Sequence, residues 1–176
     1  MGTLREVSSQ NAVSDAGPIL HLSEIDALKS LRAFQSVFIP PEVAEETKKS
    51  ELEGTNVQIV TLSPAAKNMA GMLIARYSID LGEAEAISLA TAISIQLFLT
   101  DDLAARNAAK ELNLESHGTL GIILRAFREK IFSKQEAIAK IENAHTNSSI
   151  FLTRTLTNHI IGEIERFSKL KHPKRL

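Results

Sequence analysis

The sequence predicts an α/β fold: a single domain with a mostly parallel central sheet of four to five strands, flanked by helices, and with extra helices at the carboxyl end. Its 176 residues are the size of one ordinary domain. A content of 44% hydrophobic and 23% charged residues is typical of a globular protein. Short runs rich in Val, Ile and Phe alternate with longer helical stretches, which is the pattern of βαβ units.

Helix starts are marked by residues that cap or begin a first turn. Proline suits the first turn and Ser, Thr or Asp precedes it, while a Glu three residues after the cap completes a capping box. The predicted strands are residues 12–14, 36–39, 57–60, 95–99 and 114–116. The predicted helices, with their start signals, are 42–51 (Pro40-Pro41), 65–76 (Ser63-Pro64), 84–94 (Asp80 to Glu83), 103–112 (Thr100 to Asp102), 120–130 (Gly118-Thr119), 133–143 (Ser133 to Glu136) and 149–170.

The chain is expected to form one main domain with short additions at its ends. Residues 1–11 have no apolar core and are expected to be a flexible amino terminus, not a signal peptide. The main domain is expected at 12–145, a helical extension packed on it at 146–170, and a basic tail at 171–176. The most apolar window, 84–99, is too polar to span a membrane, so the expected location is the cytoplasm.

Composition excludes several classes of function. The absence of cysteine excludes disulfides, thiolate zinc sites and cysteine nucleophiles. With 20 basic and 21 acidic residues the net charge is −1, so any nucleic-acid surface must be local. Only 5% of the residues are aromatic and none is Trp, so a base-stacking sheet is not expected.

Acidic residues follow two of the predicted strands. Asp15 comes directly after the first strand, and Asp101 and Asp102 follow the strand at 95–99. The carboxyl ends of parallel strands meet at one edge of a sheet, where ligands bind. Glu46 and Glu83, on adjoining helices, can add to the cluster. Carboxylates gathered in this way repel one another unless a hard cation such as Mg²⁺ or Mn²⁺ neutralises them.

Each acid also has a simpler interpretation. Asp15 can be a turn residue, and Glu83 satisfies a capping box. Asp101 and Asp102 can complement a helix dipole, and Glu46 can lie on a solvated face. Residue types and spacing alone leave these alternatives open.

Four motifs follow one another along the chain: VSDAGPIL from Val13, VFIPPEVAEE from Val37, LGEAEAISLA from Leu81 and FLTDDLAAR from Phe98. Their order resembles the PIN-domain family of metal-dependent ribonucleases. The sequence is most similar to the VapC-like branch and its uncharacterised relatives described as nucleic-acid-binding proteins, which also share the GTLG turn at 118–121. The resemblance covers residues 12–130 and the helix that follows.

The resemblance implies four acids that hold one or two Mg²⁺ or Mn²⁺ ions and direct water onto an RNA phosphodiester. By position these acids are Asp15, Glu46, Glu83 and Asp102, with Asp101 as a helper. Ala90 follows Glu83 by seven residues, as in the family, whereas Glu85 does not fit. The family also implies an antitoxin partner that inserts a helix and a basic side chain into the acidic site.

Basic and small polar residues near these motifs are candidate RNA contacts. Arg106, Thr119 and Arg125 are the first candidates, with Lys110 and Arg128 beside them. The alternatives are solvated arginines and a helix cap at Thr119. The five histidines show no i,i+4 pair, so a histidine metal site is not expected, and His117 is the one nearest a predicted strand end.

Three functional hypotheses follow. The first is a metal-dependent endoribonuclease, the VapC-like toxin of a toxin–antitoxin pair. Helix 65–76, with Met69, Met72 and Leu73, could instead form a homodimer contact. The second is a PIN-like module that binds RNA or protein without cutting, because Ala16 and Gly17 stand where small polar residues are usual. The third, a phosphoryl-transfer domain, lacks a Lys at a later strand end.

Overall fold

A computed structural model describes residues 10–48 and 52–171. Its centre is a five-stranded sheet in the order β3-β2-β1-β4-β5, and every neighbouring pair of strands is parallel. The strands are β1 (Ala12–Ser14), β2 (Val37–Ile39), β3 (Val57–Ile59), β4 (Leu97–Leu99) and β5 (Glu115–His117). The predicted α/β class with a parallel sheet is confirmed.

Helices cover both faces of the sheet. They are α1 (Ala16–Glu24), α2 (Pro41–Glu46), α3 (Pro64–Tyr77), α4 (Leu81–Ala92), α5 (Leu103–Glu111), α6 (Thr119–Arg128), α7 (Lys134–Asn147) and α8 (Arg154–Lys171), with a 3₁₀ helix at Leu28–Ala33. None of the described helices combines the length and the apolar character needed to cross a membrane.

Alternating side chains of the central strands divide the core into two layers. Val13 of β1 and Phe98 of β4 pack with residues of α1 to α5 on one face. Leu97 and Leu99 point to the other face, where α6, α7 and α8 cover them. Successive residues of a strand point to opposite faces, and a parallel sheet buried on both faces therefore needs apolar residues at consecutive positions. The run LFL meets that need, and so do Ala12 and Val13 of β1, whereas the buried Ser14 hydroxyl donates to the Asp15 carbonyl.

The predicted capping signals place most helix starts correctly. Ser63 caps α3, and both capping boxes form, with Asp80 and Glu83 at α4 and Ser133 and Glu136 at α7. These bonds join groups only three residues apart, so they depend on local sequence.

The bounds of the predicted helices 42–51 and 149–170 differ from the structure, and one helix was not predicted. The predicted helix 42–51 ends at Glu46, because the Thr47 hydroxyl donates to the Val43 carbonyl and Lys48 has a positive φ of 53°. Residues 49–51 lie outside the described part of the chain. The predicted helix 149–170 begins instead at Arg154, since the preceding residues form a linker held by other contacts. Helix α1 was not predicted, although Asp15 caps it.

The helices after the sheet pack onto the same core. Ile164 of α8 is fully buried, and the rings of Phe127 and Phe167 meet edge to face with centroids 5.7 Å apart. Residues 1–9 of the predicted flexible terminus (1–11) and residues 172–176 of the predicted basic tail (171–176) lie outside the described residues.

Candidate metal centre

Six acidic side chains line one cavity of about 400 Å³ at the carboxyl edge of the sheet. They come from the ends of β1 and β4, the last residue of α2 and the start of α4. The parallel order β2-β1-β4 brings these elements together, although they are far apart in sequence. The acids are Asp15, Glu46, Asp80, Glu83, Asp101 and Asp102.

Asp15 is the most deeply placed of these acids. It caps α1, with its Oδ1 accepting the Gly17 N–H at 3.1 Å, and it is only 3% exposed. Burial raises the pKa of Asp15 well above its ordinary value, and the charges of Glu83 and Asp101 raise it further. Hydrogen bonds from the Thr100 hydroxyl and the Gly17 N–H oppose this rise. A buried carboxylate with this pKa shift favours a proton or a cation beside it.

Glu83 is tied to the start of α4. The Asp80 N–H donates to Glu83 Oε2 at 3.1 Å, and the Glu83 N–H donates to Asp80 Oδ1 at 2.8 Å. Partial burial raises the pKa of Glu83 to about 7, helped by the charges of Asp80, Asp102 and Glu46. The capping role and a place in the acidic cavity are therefore both realised in this residue.

Glu46 and Asp102 are more exposed. Burial raises the pKa of Glu46, and the charges of Asp80 and Glu42 add to the effect. Asp102 caps α5, with Oδ1 accepting the Ala105 N–H at 2.8 Å. The second oxygen of the Asp102 carboxylate, Oδ2, takes no part in this capping hydrogen bond.

Asp101 differs from the other acids because donors surround it. Its Oδ1 accepts the Thr119 N–H at 2.8 Å, and its Oδ2 accepts the Thr119 hydroxyl at 2.6 Å and His21 Nδ1 at 2.8 Å. Burial alone would raise the pKa of Asp101, but these hydrogen bonds and the His21 charge lower it below its ordinary value. A Cβ at Gly118 would stand 2.5 Å from Asp101 Oδ1, so this approach requires glycine.

Two of the candidate RNA contacts, Thr119 and Arg125, make contacts within the protein. Thr119 is fully buried, and its backbone N–H and its hydroxyl both donate to the Asp101 carboxylate. Arg125 lies with its guanidinium 4.7 Å from the Phe34 ring and donates to Gln10. Phe34 and Gln10 precede β2 and β1, so Arg125 lies at the amino edge of the sheet, away from the acids.

Arg106 stays at the carboxyl edge. Its guanidinium donates to the Thr100 carbonyl at 2.9 Å, at the point where β4 ends. His117, at the end of β5, lies 2.8 Å from Glu115 Oε1 through Nε2. Lys110 and Arg128 are exposed, and the Arg128 guanidinium lies 5.7 Å from the Phe167 ring.

The sequence analysis missed His21 and Asp80 as cavity residues. His21 lies on α1, six residues after Asp15, and lines the cavity with its imidazole against Asp101. A prediction of α1 would have placed His21 one turn beyond Gly17, on the same side of the helix. Asp80 was predicted only as a cap, and its exposed carboxylate both caps α4 and lines the cavity.

The oxygen-only donor set has the chemistry that Mg²⁺ and Mn²⁺ prefer. Among residues 10–48 and 52–171, however, no three acidic or histidine side chains converge closely enough to form a ready metal cage. Several of the carboxylates are held apart by backbone N–H groups, as at Asp102 and Glu83. A cation between the carboxylates would offset the mutual repulsion that like charges have at close approach.

The candidate site is therefore an acidic cavity at the carboxyl edge of an all-parallel five-stranded sheet. A family model described as a PIN domain matches residues 11–166, which is most of the chain, and the protein therefore belongs to the PIN-domain family. PIN domains generally use divalent metal ions. Searches of curated proteins and of solved structures found no match to the chain.

Proposed function

We propose that this protein is a metal-dependent endoribonuclease that hydrolyses RNA phosphodiester bonds. The observation that carries the proposal is the meeting of four acids from separate elements in one cavity: Asp15, Glu46, Glu83 and Asp102. Membership of the PIN-domain family supports it, since the fold is nuclease-like and the family generally uses divalent metals.

The acids have complementary roles in this proposal. Asp15 and Asp102 are the principal ligands for Mg²⁺ or Mn²⁺, and both are positioned by helix caps. Glu46 and Glu83 have longer side chains and complete the ligand set directly or through water. A cation bound there supplies an activated water and stabilises charge at phosphorus. Asp101 is a positioning residue in this scheme, since its oxygens are occupied by Thr119 and His21.

Arg106 is the proposed RNA contact that remains beside the acids. Its guanidinium already donates to the Thr100 carbonyl, which fixes it at the end of β4. Guanidinium groups have several donors in a planar fork, so one bond to a carbonyl leaves others for a phosphate.

We further propose that the protein is a VapC-like toxin of the cytoplasm with an antitoxin as its partner. The acidic cavity would attract a basic side chain of such a partner. A second copy of the chain is a further possible partner, because α3 exposes Met72 to 72%. Leu73, in contrast, is only 6% exposed and belongs to the core.

Cleavage of single-stranded RNA of mixed sequence tests the enzymatic proposal. Wild-type protein should cut the RNA with Mn²⁺ and stop with EDTA, and Asp15→Asn should not cut under either condition. Glu85→Gln is the matched control, because Glu85 neighbours Glu83 in α4 but does not line the cavity. An Asp15→Asn protein as fast as wild type would contradict the assignment.

The toxin proposal has its own test in a bacterial host. Induced expression of the wild-type chain should arrest growth, whereas Asp15→Asn expressed to the same level should not. Growth arrest by both proteins would contradict a toxin that acts by cleavage at the acids.

The alternative is a PIN-like module that binds RNA or protein without cleaving it. The absence of a three-ligand cage in the described residues favours this alternative, as do Ala16 and Gly17 beside Asp15. It predicts RNA binding that survives EDTA and yields no product. Metal-dependent cleavage that disappears in the acid variants would exclude it.

A further inference from the structure

The linker between α7 and α8 reaches the acidic cavity. Ser149, Ile150 and Phe151 line the cavity together with the acids, although they belong to the helical extension. The Phe151 side chain is 91% exposed. Single exposed apolar side chains are common on protein surfaces. The place of this ring at the cavity and the way its backbone is held distinguish it from such cases.

Three hydrogen bonds anchor the linker on the amino side of Phe151. Glu24, the last residue of α1, accepts the Ser148 hydroxyl at 2.6 Å, the Ser149 N–H at 2.7 Å and the Ser149 hydroxyl at 2.7 Å. Burial alone would raise the pKa of Glu24, but these bonds lower it below its ordinary value, so the charged acceptor persists at neutral pH. Hydrogen bonds to a charged group are about twice as strong as neutral ones.

The linker is also held on the carboxyl side of Phe151. His145 of α7 lies with Nδ1 3.1 Å from the Leu152 carbonyl oxygen. The Leu156 N–H then donates to the Thr153 hydroxyl at the start of α8. The phenyl ring is therefore presented from a backbone restrained at both ends, which lowers the ordering cost of any ligand that stacks on it.

We propose that Phe151 is a stacking subsite for an unpaired nucleobase of single-stranded RNA. The base would lie next to the phosphate that a cation at the acids would hold. This inference rests on the proposed RNA-cleaving function of the same cavity. An aromatic face stacks on any base, whereas a base inside a duplex is already stacked and paired. Leu20, Ile150 and Phe151 are the large apolar residues at this cavity, beside six carboxylates, and an apolar surface of that size is too small to hold a stable protein interface by itself.

Binding of an eight-nucleotide oligo(A), measured by fluorescence anisotropy, tests the subsite. Ca²⁺ replaces Mn²⁺ as the hard cation, and a gel checks that the RNA stays intact. Phe151→Ala should weaken the binding of oligo(A) by roughly tenfold, as expected for the loss of one base–aromatic stack. The same change should leave the affinity for a ribose–phosphate chain without bases unaltered, and Phe151→Trp should restore the affinity for oligo(A).

Two further variants separate the ring from its support. Leu170→Ala removes another exposed apolar side chain of the extension, one that does not line the cavity, and should change neither affinity. Glu24→Ala removes the acceptor of all three linker bonds while keeping the ring. It should weaken the binding of oligo(A) by a smaller factor than Phe151→Ala does.

The outcomes distinguish this subsite from the nuclease. If Phe151→Ala binds oligo(A) as tightly as wild type while the wild type cleaves RNA, the subsite is wrong and the nuclease stands. Binding that depends on Phe151 without any cleavage supports the subsite and contradicts the nuclease. No binding of oligo(A) by the wild type overturns the subsite, and the cleavage of mixed-sequence RNA then decides the nuclease separately. A Phe151→Ala protein with altered oligomeric state and unaltered RNA affinity assigns the ring to a protein interface and overturns the subsite.

Discussion

The carboxylate of Glu46, at the end of α2, lies against Gly82 in the first turn of α4. A Cβ at position 82 would stand 2.5 Å from Glu46 Oε1, closer than real Cβ atoms approach any neighbour. The glycine therefore allows the acid of one helix to reach over the start of the next. This contact joins Glu46 to the helix that carries Glu83.

Gly82→Ala should weaken the binding of Mn²⁺ with little change in the stability of the metal-free protein. The added Cβ displaces the flexible end of Glu46, and the gain in helix propensity of about 0.5–1 kcal/mol offsets that cost. The measurement is the rise in unfolding temperature during a Mn²⁺ titration.

Gly71→Ala in α3 is the matched control for this change. A Cβ at Gly71 meets no heavy atom within 4 Å, so the variant should gain stability and keep the full Mn²⁺ response. If Mn²⁺ raises the unfolding temperature of Gly82→Ala as much as that of the wild type, Glu46 is not a metal ligand.

Asp15→Asn should stabilise the metal-free protein at pH 7–8 and abolish stabilisation by Mn²⁺. Because the pKa of Asp15 is raised in the folded state, its ionisation opposes folding, and the neutral amide removes that cost. Its oxygen can still accept the Gly17 N–H. Each kcal/mol gained should raise the unfolding temperature by about 2–4 °C. A lower unfolding temperature for the metal-free variant would contradict the argument.

Asp101→Asn should destabilise the metal-free protein, in contrast to Asp15→Asn. The pKa of Asp101 is lowered, so the stability it contributes is present above its ordinary pKa and is lost only as the pH falls below that value. The amide cannot accept all three donors, and the change should cost about 1–3 kcal/mol at pH 7. Chemical denaturation of the two variants in parallel checks the contrast, and equal shifts for both would refute it.

The stability of the metal-free protein should decrease with rising pH through the range of Glu83. Its pKa is raised from an ordinary 4.5 to about 7, so the folded state holds a proton that the unfolded state has released. The stability contributed by the protonated group is complete below pH 4.5 and is lost as the pH rises to about 7.

Glu83→Gln should flatten this part of the pH profile, and Glu85→Gln should leave it unchanged. Thermal unfolding at half-unit steps of pH, without metal and then with Mn²⁺, provides the measurement. In the wild type, Mn²⁺ should bind more tightly as the pH rises, because the ligand must lose its proton first. An identical slope for Glu83→Gln and wild type would place the titrating group elsewhere.

The sequence could predict the fold class and the positions of several acids because their signals are local. The caps at Asp80 and Asp102 join groups only three residues apart. Such bonds form wherever a helix starts with these residues, so they can be recognised before the fold is known.

Other features depended on contacts between distant parts of the chain. His21 meets Asp101 across 80 residues, Arg125 meets Gln10 across 115, and Ser149 meets Glu24 across 125. The order of the strands determines which of these pairs become neighbours, and no spacing in the sequence encodes that order. Arg125 was therefore predicted beside the acids and lies at the other edge of the sheet, while the linker carrying Phe151 was predicted as helix. Its two serines bond to Glu24 of α1, because tertiary packing brings that carboxylate within reach of their donors.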